Sequence, residues 1–128
     1  MTDEIKYSVE DDILYSEVRG KVDFKSMIEK AESLGKMTGL PKKLKILEDA
    51  WGAVPSFKIS DIPFLVRNLE SQLDQFDSVR HAVLHSDPTG TAFTLMADHF
   101  RKSHKYRIRV FSTITAAKEW LEQGTGNG

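Results

Sequence analysis

The chain has 128 residues, 40% of them hydrophobic and 29% charged, with 18 basic residues against 19 acidic ones. That length suits one domain, able to bury roughly two-thirds of the surface its unfolded form exposes. A formal net charge of −1 without a clustered basic segment argues against nucleic-acid binding, and the absence of cysteine excludes disulfides, thiolate metal sites and thiol nucleophiles. Met1 to Lys6 lacks the basic-then-apolar layout of an export signal, and no stretch approaches the roughly 20 apolar residues of a membrane span. A cytoplasmic protein with no membrane span is expected.

Ile5, Tyr7 and Val9 alternate with Lys6, Ser8 and Glu10, the period of a half-buried strand. After the polar turn at Glu10-Asp11-Asp12, Ile13 to Arg19 reads as a second strand, antiparallel to the first because the connection is so short. The period then changes. Asp23 suits an N-cap, and Phe24, Met27, Ile28, Ala31 and Leu34 share one helical face until Gly35, Gly39 and Pro41 end it. Leu44 to Leu47 reads as a short buried strand, followed by a loop from Asp49 to Pro55. Ser60 is placed to cap a second helix carrying Ile62, Leu65, Val66, Leu69, Leu73 and Phe76, with Pro63 in its first turn.

Ala82 to Leu84 is the next strand, and Ser86-Asp87-Pro88 leads into a helix with Phe93, Met96, Ala97 and Phe100 on one stripe. Tyr106, Ile108 and Val110 alternate with Arg107 and Arg109, a strand with one wet face. A last helix begins near Thr113 and carries Ile114, Ala117, Trp120 and Leu121. No repeat or linker interrupts the pattern, so residues 1–122 form one domain and the glycine-rich residues 123–128 a flexible tail. The order β-β-α-β-α-β-α-β-α predicts an α/β fold with a five-stranded mixed sheet and four helices. If each strand adds to the same edge, every helix falls on one face.

Gly20-Lys21-Val22-Asp23-Phe24 entering the first helix, Lys45-Ile46-Leu47-Glu48-Asp49 ending a strand, and Ser86-Asp87-Pro88 before Ala92-Phe93 occur in an order seen elsewhere. With Arg109-Val110-Phe111 and Ala116 to Leu121, they make residues 5–122 resemble the SpoIIAA-like family of bacterial proteins, grouped with STAS domains and the lipid-binding Sec14 fold. The resemblance implies a non-enzymatic role in regulatory protein contact, or alternatively a carrier or sensor for a lipid or other small apolar ligand. Anti-sigma antagonists of this kind carry a phosphorylatable serine after an aspartate; here Ala50 follows Asp49, and Ser56 and Ser60 lie farther on.

Catalytic and metal chemistry find little support. His81 and His85 would lie about 13 Å apart along one strand, too far to share an ion. His99 and His104, five apart, are poorly spaced for one helical face. Ser86 and His85 are strand neighbours that face opposite sides, and no Gly-x-Ser-x-Gly elbow, P-loop or dinucleotide fingerprint is present. No catalytic residue, metal or cofactor is expected. Arg107 and Arg109 fit a charged edge strand.

The expected partner- or ligand-binding surface lies beyond the carboxyl ends of the parallel strands, where the segments Asp49-Ala50-Trp51-Gly52 and Ser86-Asp87-Pro88-Thr89 should adjoin. Asp49, Trp51, Ser86, Asp87 and Thr89 are its candidate residues. Trp51 could equally fold back over the core or offer an exposed contact. Leu47 and Val83, if left on a bare sheet face, and a side stripe of Ala92, Leu95 and His99 argue for a homodimer.

Overall fold

The computed structural model describes residues 4–126. The strands are β1 (Glu4–Ser8), β2 (Ile13–Val22), β3 (Lys43–Pro55), β4 (Ser78–Leu84) and β5 (Tyr106–Phe111). The helices are α1 (Phe24–Lys36), α2 (Ile62–Gln72, preceded by a 3-10 turn at Ile59–Asp61), α3 (Pro88–Phe100) and α4 (Ile114–Gly126). The sheet order is β1-β2-β3-β4-β5, with β1 antiparallel to β2 and every other pair parallel. The expected fold class is the observed one. Asp12 takes a left-handed conformation (φ 62°) at the hairpin turn, where Tyr7 Oη donates to its carboxylate at 2.5 Å. Among the described residues, no helix is long and apolar enough to cross a membrane.

Alternation along the strands builds two cores. Leu14 and Val18 of β2, Leu44 and Ile46 of β3, Val79 and Val83 of β4 and Tyr106 and Ile108 of β5 face the side covered by α1, α2 and α3. Leu47, Ala82 and Leu84 point the other way, where they pack with Ala117, Trp120 and Leu121 of α4. The expectation that all helices share one face is therefore corrected. Three successive parallel crossovers do place α1–α3 together, but α4 follows the last strand and joins no further one, so it is free to cross over and cover the bare face. Leu47 is buried beneath α4, and Val83 belongs to the opposite core. The premise that either residue sits on a bare face is removed. The α3 stripe of Ala92, Leu95 and His99 does stay exposed, Leu95 by 61%.

β3 differs most from the sequence reading. It runs through Asp49 to Pro55, where a loop was expected, because the second half of β2 needs a partner: Arg19 to Val22 pair with Gly52 to Pro55. Between them lies a bulge, with Ala50 and Trp51 together opposing Val18 while Glu17 pairs Asp49 and Arg19 pairs Gly52. The extra residue reverses the alternation, so Ala50 and Ala53 both enter the α1–α3 core although three positions apart.

Helix ends follow short polar side chains. Asp23 accepts from the Ser26 amide at 2.8 Å and Asp87 from the Gly90 amide at 3.0 Å, while Thr113 Oγ1 accepts from the Ala116 amide at 3.1 Å. Ser60 is not the cap of α2. It lies inside the 3-10 turn, where Asp61 instead accepts from the Lys58 amide at 2.9 Å. α4 runs to Gly126, so the first residues of the expected tail continue its last turns; Asn127 and Gly128 lie outside the described residues.

Candidate functional site

A cavity of about 120 Å³ lies between the sheet and α1–α3. Interiors normally pack without voids much larger than a water molecule, so this one has a local cause. Where the near half of the core is filled by Leu44 and Ile46, the far half of β3 presents Ala50 and Ala53. The helices above contribute Ala31, Gly90 and Ala97. Small residues on both sides leave the space. Its walls are otherwise apolar: Val18 and Val22 from β2, Leu65 and Leu69 from α2, and Phe57 and Phe93, whose rings lie 5.3 Å apart.

Six polar side chains also line it: Lys30 from α1, Glu48 from β3, His81 from β4, His85 just past β4, Thr94 from α3, whose hydroxyl donates to the Gly90 carbonyl, and Tyr106 from β5. Sheet register aligns Ile46 with His81 and His81 with Ile108, which brings Glu48 and Tyr106 to either side of the imidazole. His81 Nε2 lies 2.8 Å from Glu48 Oε1 and must be the donor, since a carboxylate only accepts. His81 Nδ1 lies 2.7 Å from Tyr106 Oη. Lys30 Nζ stands 3.9 Å from the same Glu48 oxygen, too far for a hydrogen bond, and has no other partner. The Lys30 side chain is only 5% exposed. His85, 8% exposed, also leaves its Nδ1 without a partner, and its ring lies so close over Gly90 that a Cβ there would collide with it.

Charge in the cluster follows from these contacts. Burial pushes the Glu48 carboxyl up, but the Lys30 ammonium and the His81 hydrogen bond outweigh it and bring it down to about 2. Burial raises the Tyr106 hydroxyl well above its usual range, with Glu48 adding to the effect, so it stays protonated. Burial lowers His85, which Glu48 and Asp87 only partly oppose.

The two shifted acid–base groups give separate pH windows. An unfolded His85 takes up a proton near its ordinary 6.5 and the folded one only below that, so its contribution is complete above about pH 6.5 and is lost on acidification through that window. For Glu48 the contribution is present above 4.5 and lost as pH falls toward about 2. Urea unfolding followed between pH 7.5 and 5 should show falling stability in the wild type and a flatter profile in His85→Leu. Parallel profiles would show that His85 protonates as freely folded as unfolded.

None of the residues expected from sequence lines this cavity. Ser86 Oγ donates to the Trp51 carbonyl at 3.4 Å, so the segment just past β4 adjoins the bulge of β3. Asp49 accepts from the Trp51 amide at 3.1 Å and lies 3.6 Å from Arg19. Asp87 is occupied as the α3 cap, and Thr89 is exposed. Trp51 sits on the bulge, not in a loop, and is 48% exposed. Sequence reasoning missed Lys30 and Glu48. The signal was there: Lys30 shares a helical face with Met27 and Leu34, and Glu48 continues the alternation of Leu44 and Ile46. Among the described residues, no group of three or more His, Asp or Glu side chains could hold a metal ion.

No protein-family model matches the chain, and no curated protein matches it. Among solved structures it is similar to an uncharacterised protein of the DUF3478 family from Shewanella loihica PV-4, described as having a SpoIIAA-like fold. The two share 18% identity over 94% of this chain and 92% of that one, with a TM-score of 0.59. Together with the strand order and helix placement, this likeness gives the chain a SpoIIAA-like α/β fold.

Proposed function

We propose that the protein is a non-enzymatic binding module that holds a small molecule in the cavity between the sheet and α1–α3. The observation that carries this reading is the pairing of apolar walls with two buried, unpartnered polar groups, Lys30 Nζ and His85 Nδ1. A buried polar group without a partner is costly, and one aimed into a cavity is best explained by a partner that comes and goes. The volume suits a compact ligand: a cavity near 150 Å³ accommodates benzene, so about 120 Å³ suits a molecule of that order and not a diacyl lipid. A lack of catalysis is supported by Ser86, whose hydroxyl donates to the Trp51 carbonyl.

Regulatory protein contact, by another protein or a second copy, fits the same fold as the means of reporting the bound state. Trp51 on β3 and Leu95 on α3 are among the exposed apolar residues available for it. Methyl NMR with small neutral compounds of six to eight non-hydrogen atoms tests the ligand reading. Binders should shift the Val18, Val83 and Ile108 signals, and Ala97→Leu, which fills the space, should abolish the shifts without unfolding the protein. If no compound moves those methyls in the wild type, the cavity is not a ligand site.

A further inference from the structure

We propose that the cavity recognises a small monocarboxylate, its anionic group held by Lys30 Nζ and His85 Nδ1 and its apolar body lying against the β3 alanines. This rests on the cavity being a ligand site and goes further by fixing the ligand's charge, size and orientation. Lys30 carries the first part of the argument. An ammonium has three donors, yet here none is engaged, and the nearest acceptor, Glu48 Oε1, is 3.9 Å away. That oxygen already receives His81 Nε2 at 2.8 Å. Glu48 therefore balances the charge of Lys30 without satisfying its hydrogen-bonding capacity. A ligand oxygen would do so, and a charged one adds direct attraction to the ammonium beyond the hydrogen bond itself.

His85 supplies a second point of attachment. Its ring is fixed over Gly90 at the start of α3, and its unpartnered Nδ1 is buried in the same lining. With His85 in its Nδ1–H tautomer, the two unpartnered groups of this lining offer a donor to each oxygen of a carboxylate. The charge of the site also limits the ligand. With Glu48 ionised beside Lys30, a dianion such as phosphate would meet one cation and one like charge, whereas a monoanion adds a single charge. Opposite these groups the walls are Ala50, Ala53, Val18 and Phe93, which offer no hydrogen bond to a polar tail. A branched body of about four carbons fits the remaining space.

The test compares 3-methylbutanoate with its isosteric amide, 3-methylbutanamide, by titration calorimetry on the wild-type protein at pH 7. The acid should bind at least tenfold more tightly. Lys30→Met, which keeps length and removes the charge, should bring the two within about threefold of each other, while His85→Leu should weaken the acid and keep part of its preference. Equal binding of acid and amide to the wild type would overturn the anion assignment and leave the cavity as a site for neutral ligands. Binding of neither, together with silent cavity methyls, would remove both readings. A tenfold preference that survives Lys30→Met would show that the anion is held elsewhere. Should Lys30→Met fail to fold, the wild-type comparison alone decides whether charge is recognised.

Discussion

Replacing Glu48 by leucine is expected to lower the unfolding free energy by about 3–5 kcal/mol, the usual cost of removing one member of a buried ion pair. The substitution preserves bulk but strands the Lys30 ammonium, whose side chain is 5% exposed, and leaves His81 Nε2 without its acceptor. The penalty comes from the charge left behind more than from the lost attraction. Adding Lys30→Met should therefore restore much of the stability, since apolar replacement of a whole buried pair is often neutral or favourable. Urea denaturation of the wild type, the single variant and the double variant at pH 7 measures both steps. A loss below about 1 kcal/mol in Glu48→Leu would mean that Lys30 escapes to water, and the polar cluster would cease to be a constraint on the cavity.

The two tryptophans should behave oppositely. Trp120 is 7% exposed, lies 5.6 Å from the Phe111 ring, and carries the Arg80 guanidinium 4.8 Å above it. Arg80 also donates to the Trp120 carbonyl at 2.8 Å, which ties α4 to β4 through backbone as well as side chain. Trp120→Ala should cost about 3–5 kcal/mol, as large aromatic deletions in cores do. Trp51→Ala, at a half-exposed bulge position, should cost no more than about 1 kcal/mol and act on binding instead. Thermal melts of both variants separate them. A large fall for Trp51→Ala would make that residue structural and remove it from the contact surface.

How far the sequence could be read depended on whether neighbours along the chain were also neighbours in space. The helices from Asp23 and Asp87 were legible because cap and apolar stripe lie within a few residues of each other. The hairpin and the parallel strands were legible for the same reason, through their alternation. The far half of β3 was not. Trp51-Gly52-Ala53-Val54-Pro55 has the composition of a loop, and its strand character comes from pairing with Arg19 to Val22, more than thirty positions away. The placement of α4 was hidden too, because an amphipathic helix shows that it covers a face without saying which one. In the site, topology brought the Ser86 and Trp51 segments together, but none of Asp49, Trp51, Ser86, Asp87 and Thr89 lines the cavity. The cavity depends on Ala31, Ala50, Ala53, Gly90 and Ala97 meeting across three elements, and small residues give no signal singly. Lys30 and Glu48 could have been noticed as charges on apolar faces.

The separation of the two cores also orders the birth of the molecule on the ribosome. The α1–α3 core is complete once β5 has been made, whereas the sheet surface bearing Leu47, Ala82 and Leu84 waits for Ala117, Trp120 and Leu121. At about 5–20 residues per second, α4 follows within seconds, but it must clear the exit tunnel before it can dock. During that interval a largely parallel sheet leaves the apolar patch of Ile13, Leu47, Ala82 and Leu84 open, the kind of surface that attracts chaperones or other nascent chains. A stalled or prematurely ended chain lacking α4 would keep that side open indefinitely, so damage confined to the last helix should appear in the cell as aggregation before it appears as lost binding.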